Sequence, residues 1–132
     1  MCPLDYDIDE DQGVVYLRGS GEVTNDDMRD MPTRVAADAR LRAGMLSLTD
    51  LSNITDYKVT TAGVERYMET LENSRDVRGQ SYAAIVAPKD LHFGMARLLE
   101  LKSDGRGPLQ FKVFRNREDA CQWLGINDPE AT

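Results

Sequence analysis

The chain predicts a single α/β domain: a mixed β-sheet of about five strands with helices mainly on one face. Three observations lead there. Short apolar runs bounded by turn residues recur along the sequence, and the stretches between the later runs carry apolar residues at helical spacing. The N-terminal residues alternate in polarity as a half-buried strand does, and a turn leads at once into a second strand. The C-terminal stretch, residues 113–125, passes directly from an apolar strand into a short capped helix. At 132 residues the chain can bury a core without disulfides or metal, and the patterned part spans about residues 4–125.

In order, Leu4, Tyr6 and Ile8 alternate with Asp5, Asp7 and Asp9, and the turn at Asp11-Gln12-Gly13 leads to Val14-Val15-Tyr16-Leu17, which makes a hairpin. Gly19, Ser20 and Gly21 are expected to end the second strand. Thr24-Asn25-Asp26-Asp27 supplies capping oxygens and first-turn acids for a helix carrying Met28, Met31, Val35 and Ala39, in which Pro32 either kinks the helix or restarts it. Met45-Leu46-Ser47-Leu48-Thr49 reads as a buried strand, and residues 50–58 read as a polar loop punctuated by two apolar anchors. Thr60 or Thr61 caps the next helix, with Val64, Tyr67, Met68 and Leu71 at i, i+3, i+4 and i+7, ending before Gly79.

Residues 82–87 form a short apolar run stopped by Pro88, the pattern of a strand covered on both faces. Asp90 is placed to cap a helix whose inner side carries Leu91, Met95, Leu98 and Leu99, and residues 103–108 are a glycine-containing connection to a last strand at 109–114. In the final helix Asn116 is the cap, Glu118 and Asp119 suit the positive end of the helix dipole, Ala120, Trp123 and Leu124 share a face, and Gly125 offers a left-handed exit. The resulting order is ββαβαβαβα, and the opening hairpin makes the sheet mixed rather than wholly parallel.

Composition narrows the function classes. The 16 Lys and Arg against 23 Asp and Glu give a formal net charge of −7, which opposes binding to nucleic acid or to an anionic membrane surface. Cys2 and Cys121 are the only cysteines, a usage that suits reduced thiols and a cytoplasmic location. The sequence offers no metal-ligand spacing, so neither a metal nor another cofactor is expected. With no apolar run of spanning length and no charged leader ahead of an apolar core, no integral membrane association is expected.

Asp50-Leu51-Ser52 at a strand end, Phe93-Gly94-Met95-Ala96-Arg97 in the third helix, and Val113-Phe114-Arg115 running on to Trp123-Leu124-Gly125 follow one another on successive elements. By these segments the chain resembles the SpoIIAA-like family, the STAS-like branch related to bacterial anti-sigma-factor antagonists and grouped with Sec14-type folds. The resemblance implies a mixed sheet with helices mainly on one side, and a role in binding or signalling rather than an enzymatic reaction. In the antagonists a Ser or Thr lies in an Asp-Ser-x-Gly type motif at the start of the helix that follows this strand end. The matching segment here is Thr60-Thr61-Ala62-Gly63. Thr61 keeps the hydroxyl, Thr60 stands in place of the acid, and the spacing from Asp50 is about two residues longer than in the family pattern.

The expected function is therefore a non-catalytic STAS-like module that engages a protein partner through residues 50–63 and the helix start after them. Asp50, Ser52, Asp56, Tyr57, Lys58, Thr60 and Thr61 are the candidate contact residues, with Thr61 the candidate phosphorylation site. The plainer reading of the same residues is structural: Asx-type turns, and an N-cap worth about 1 kcal/mol. A different class of function, binding or sensing an apolar, lipid-like small molecule, would use a pocket under the second and third helices lined by Tyr57, Tyr67, Met68, Phe93 and Met95. A hydrolase built from Ser52, Asp50 and His92 lacks nucleophile-elbow spacing. Arg97 and Arg115 are expected to pair with nearby acids such as Glu100 and Glu118, and self-association as a two-fold pair through a sheet edge or helix face is a further expectation.

Overall fold

The alternation at the N-terminus makes the expected hairpin. In the computed structural model, which describes residues 3–128, β1 (Leu4–Asp9) pairs antiparallel with β2 (Val14–Thr24), from Leu4 opposite Gly19 to Asp9 opposite Val14. The chain continues through α1 (Asn25–Ala36), β3 (Leu46–Lys58), α2 (Thr61–Asn73), the one-turn α3 (Arg75–Arg78), β4 (Ser81–Val86), α4 (Asp90–Ser103), β5 (Leu109–Phe114) and α5 (Arg117–Leu124). The sheet runs β1-β2-β3-β4-β5, and every pairing after the hairpin is parallel. Among the described residues no helix is long and apolar enough to cross a membrane.

Two expectations about the middle of the sheet are corrected together. Gly19, Ser20 and Gly21 do not end the second strand, and residues 50–58 are not a loop: β2 and β3 run on side by side to Thr24 and Lys58. Their pairing slips twice. Between Arg18–Asp50 and Ser20–Asn53, and again between Gly21–Ile54 and Glu22–Asp56, β3 advances one residue more than β2. Gly21 takes a left-handed φ of +64° at the second slip. Gly19 is a close-approach glycine, since a Cβ there would lie 2.7 Å from Ile54 Cδ1. The slips set the residues that face the larger core three apart, at Leu51, Ile54 and Tyr57, where regular pleating would set them two apart.

The helices divide unequally over the two faces. Met28, Met31 and Val35 of α1, Val64, Met68 and Leu71 of α2, and Ala96 and Leu99 of α4 bury against Val15, Leu51, Ile54, Ala83, Ile85, Phe111 and Val113. On the other face α5 places Ala120, Cys121 and Leu124 against Val14, Leu48, Ala84 and Val86. Helix α1 passes through Pro32 as one element that stops before Ala39, and burial of Met28, Met31 and Val35 around the proline offsets its missing N–H. Its start is a capping box: Thr24 Oγ1 accepts from the Asp27 N–H, and Asp27 Oδ2 accepts from the Thr24 N–H.

Helix α4 is partly turned relative to expectation: Leu99 is buried and Met95 borders the core, but Leu91 faces outward. Its buried residues are His92, Ala96, Leu99 and Ser103, while Leu91 is 66% exposed. Two faces of the helix carry apolar residues, and the one that includes the small side chains of Ala96 and Ser103 packs inward beside His92 and Leu99. Asp90 does not cap this helix. Its carboxylate is taken by Arg115 at 2.7 Å, and Lys89 occupies the cap position without a side-chain bond. The last helix follows its sequence signals: Asn116 Oδ1 accepts from the Asp119 N–H at 2.9 Å, and Gly125 closes the helix at φ +73°. Glu100 of α4 reaches the sheet margin, where its Oε1 accepts from the Val113 N–H of β5 at 2.8 Å, while Arg97 binds its other oxygen.

Candidate binding surface

Parallel strands β2 and β3 deliver α1 and α2 side by side at their carboxyl ends, the position at which open α/β sheets take ligands. Thr60 is the N-cap of α2: its Oγ1 accepts from the Gly63 N–H at 3.1 Å. The same oxygen accepts from the Asn25 amide at 3.0 Å, and the Thr60 N–H donates back to Asn25 Oδ1 at 2.9 Å. This inter-helix clasp requires Gly63, because a Cβ at that position would lie 1.9 Å from Asn25 Oδ1. Of the two threonines that the sequence left as alternative caps, Thr60 does the capping, and Thr61 stands exposed as the first residue of the helix.

The other candidate residues separate. Asp56 and Lys58 are exposed at the end of β3, and Lys58 lies 3.4 Å from Glu22 and 3.6 Å from Asp56. The Glu22 carboxylate first, and Asp56 with it, holds the Lys58 ammonium above its ordinary range. Tyr57 points into the larger core and donates to Met28 Sδ at 3.6 Å.

Asp50 and Ser52 belong to the α5 side. Asp50 is 9% exposed, accepts from the Ser52 N–H at 2.8 Å and from the Ser52 hydroxyl, and meets Arg117 at 2.9 Å. Arg117 in turn forks onto both oxygens of Asp128, at 2.7 and 2.9 Å. Burial works against the Asp50 charge, yet the two bonds from Ser52 and the Arg117 guanidinium hold its carboxyl below the usual range. Ser52, Asp50 and His92 form no triad: Asp50 is engaged by Ser52 and Arg117, while His92 lies in the α4 layer across the sheet, its ring 5.4 Å from that of Tyr57.

Asp50 and Arg117 also line an open groove of about 480 Å³ on the outer face of β1 and β2, beside the part of β2 that α5 covers at Val14. Asp5, Asp7 and Asp9 of β1, Tyr16 and Arg18 of β2 and Leu48 of β3 also line it. Apart from Asp50, sequence reasoning did not single out these residues as a site. The only trace was the row of aspartates, and their convergence with Arg117 is tertiary. Among the described residues no group of three or more His, Cys, Asp or Glu is placed to hold a metal ion.

The expected apolar pocket is only partly assembled. A cavity of about 50 Å³ inside the larger core is lined by Tyr57 and Tyr67 together with Met28, Met31, Leu51 and Phe111, but not by Met68, Phe93 or Met95. Met68 is fully buried, whereas Phe93 and Met95 are half-buried and Arg115 stacks 4.0 Å over the Phe93 ring. Drug-sized ligands occupy roughly 300–1,000 Å³, so this space admits a lipid-like molecule only if the helices move apart. Burial pushes both Tyr57 and Tyr67 hydroxyls up to about 12. Burial, and then Lys89, lowers His92, whose Nδ1 is enclosed without a hydrogen-bond partner, as is one terminal nitrogen of Arg78.

No family model and no curated protein matches the sequence. Among solved structures, the chain is similar to an uncharacterized protein from the DUF3478 family with a SpoIIAA-like fold from Shewanella loihica PV-4. The TM-score is 0.60 at 17% identity, over 94% of this chain and 95% of that one. The chain thus has a SpoIIAA-like fold, α/β with a five-stranded mixed sheet, and the resemblance seen in its sequence holds at the level of architecture.

Proposed function

We propose that this chain is a non-catalytic regulatory module of SpoIIAA-like fold that engages a protein partner through the carboxyl edge of its sheet, at Asp56, Lys58, Thr60 and Thr61. The observation that supports this is the division of labour between adjacent threonines. Thr60 commits its hydroxyl to the Gly63 N–H and to Asn25, which fixes the first turn of α2, and Thr61 is thereby presented outward on a rigid helix start. A phosphate on Thr61 would sit at the positive end of the helix dipole and change the charge of the surface by nearly two units. Asp50 and Ser52 turn to the opposite side of the sheet and fall outside the proposed contact. A reducing, cytoplasmic setting is part of the same proposal, in keeping with the buried free thiol of Cys121.

The test is affinity capture from the native cells with the wild-type chain, Thr61→Glu and Thr61→Val, followed by titration of the purified partner. The expected result is a stoichiometric partner retained by wild type and Thr61→Val and lost with Thr61→Glu, with all three folded by circular dichroism. Equal partner affinity in all three would remove Thr61 from the contact and the reading with it.

A further inference from the structure

Helix α4 keeps one apolar stripe uncovered after the other has packed on the sheet. Leu91, Met95, Leu98 and Leu101 follow one another at i, i+4, i+7 and i+10 along its 14 residues, with Gly94 between them. Leu91 is 66% and Leu101 62% exposed, the two largest exposures among the large apolar side chains described, and Met95 and Leu98 are half-buried at the shoulder. A Cβ built on Gly94 meets nothing within 4 Å, so the space above the middle of the helix is open. On a solvated helix a central glycine only weakens the helix relative to alanine, whereas on a helix–helix contact it lets a second backbone approach.

The stripe is self-complementary about its centre. When two copies of α4 cross antiparallel about a two-fold axis near residue 96, Leu91 of one faces Leu101 of the other and Gly94 faces Leu98. The same register sets Asp90 opposite Lys102. Both charges lie at the rim. The Asp90 side chain is 95% exposed although Arg115 holds its Oδ1, and Lys102 is 3.8 Å from Glu65, at the far limit of an ion pair. Strand edges offer two copies less. The β1 edge carries Asp5, Asp7 and Asp9, and at β5 the Val113 N–H is already taken by Glu100.

We infer that the uncovered face of α4 is a homodimer interface, in which two copies pack antiparallel through Leu91, Gly94, Leu98 and Leu101 with Asp90 and Lys102 paired across the rim. None of these residues belongs to the partner surface proposed above, so the dimer stands or falls independently of it. A contact of one short helix per copy is small, and the dimer is expected to dissociate in roughly the micromolar range.

The experiment is sedimentation equilibrium of the full chain up to about 1 mM, with Leu91→Glu, Leu101→Glu and Val77→Glu. Val77, 47% exposed on α3, is the control. Expected are a concentration-dependent dimer for wild type and Val77→Glu, and at least a tenfold weaker one for either α4 variant. The pair Leu91→Cys with Leu101→Cys, in a background lacking the natural cysteines, should cross-link between copies under mild oxidation. Monomer throughout the concentration range, or a dimer unaffected by the α4 substitutions, would overturn the inference, as would a double-cysteine chain that dimerises without cross-linking.

Discussion

Asn25 and Thr60 exchange hydrogen bonds in both directions, amide to hydroxyl at 3.0 Å and backbone N–H to carbonyl oxygen at 2.9 Å, and so tie the first turn of α1 to the first turn of α2. The clasp spans 35 residues of sequence and depends on the bare Cα of Gly63. Gly63→Ala, which in an open helix would stabilise by up to about 1 kcal/mol, is expected here to destabilise by about 1–3 kcal/mol because the new methyl displaces the Asn25 side chain. In an Asn25→Ala background that cost should largely disappear. Urea unfolding of the two singles and the double measures the coupling, and strict additivity would show that the two residues do not act together.

Asp50 and Arg117 join the sheet to α5 across 67 residues. Because the folded state holds the Asp50 carboxyl below its unfolded value, its contribution is fully present above the unfolded pKa of about 3.9 and is lost as the pH falls through the folded one. Asp50→Asn should therefore cost about 1.5–3 kcal/mol at neutral pH, and the gap between variant and wild type should close as the solution is acidified below about pH 4. A gap that stays constant from neutral to acid would assign the cost to packing instead of charge.

Tyr57 and Tyr67 work at the other end of the pH scale. Burial raises both phenols to about 12, so the stability they confer is present below the unfolded value of about 10 and is lost as the pH rises from there through about 12. Phenolate absorbance should rise in at least two stages as the five tyrosines titrate, the last coinciding with loss of tertiary circular dichroism. Phe at both positions should flatten the alkaline limb of the stability curve. An unchanged limb would place its cause elsewhere.

Glu100 occupies a backbone donor at the margin of the sheet, the Val113 N–H. Glu100→Ala leaves that donor to solvent or to another strand, and the expected result is a loss of about 1 kcal/mol together with faster aggregation at high concentration. Glu100→Gln, which keeps an acceptor oxygen, should aggregate more slowly than the alanine variant. Light scattering decides between them, and indistinguishable traces would mean that this contact does not protect the edge.

Much of the architecture was readable because its signals are local. The hairpin, β4 and the passage from β5 to α5 each declare themselves within about ten residues through alternation, an apolar run or a cap. Residues 50–58 did not, because strand identity there rests on pairing with β2 and the two slips replace a spacing of two by a spacing of three at Leu51, Ile54 and Tyr57. The orientation of α4 was hidden for another reason: two faces of the helix carry apolar residues, and only the space above the sheet selects Ala96 and Ser103 over Leu91 and Leu101. Thr60 and Thr61 were legible as a capping pair, but the partner that settles their roles, Asn25, comes from another helix. The groove gathers its residues from β1, β2, β3 and α5, a convergence no single stretch of sequence announces.

Among the described helices, three long ones cover one side of the sheet while the other side rests on α5 alone, eight residues long. The thinner layer sets a gradient of local stability across the molecule. Lifting α5 away uncovers Val14, Leu48, Ala84 and Val86 without disturbing the opposite core, so opening there is a smaller event than global unfolding. Cys121, 5% exposed at the inner surface of this helix, becomes accessible in the same event. The chain thus carries a native probe of its own fluctuation: the rate at which a thiol reagent reaches Cys121 reports how often one face of the sheet stands bare.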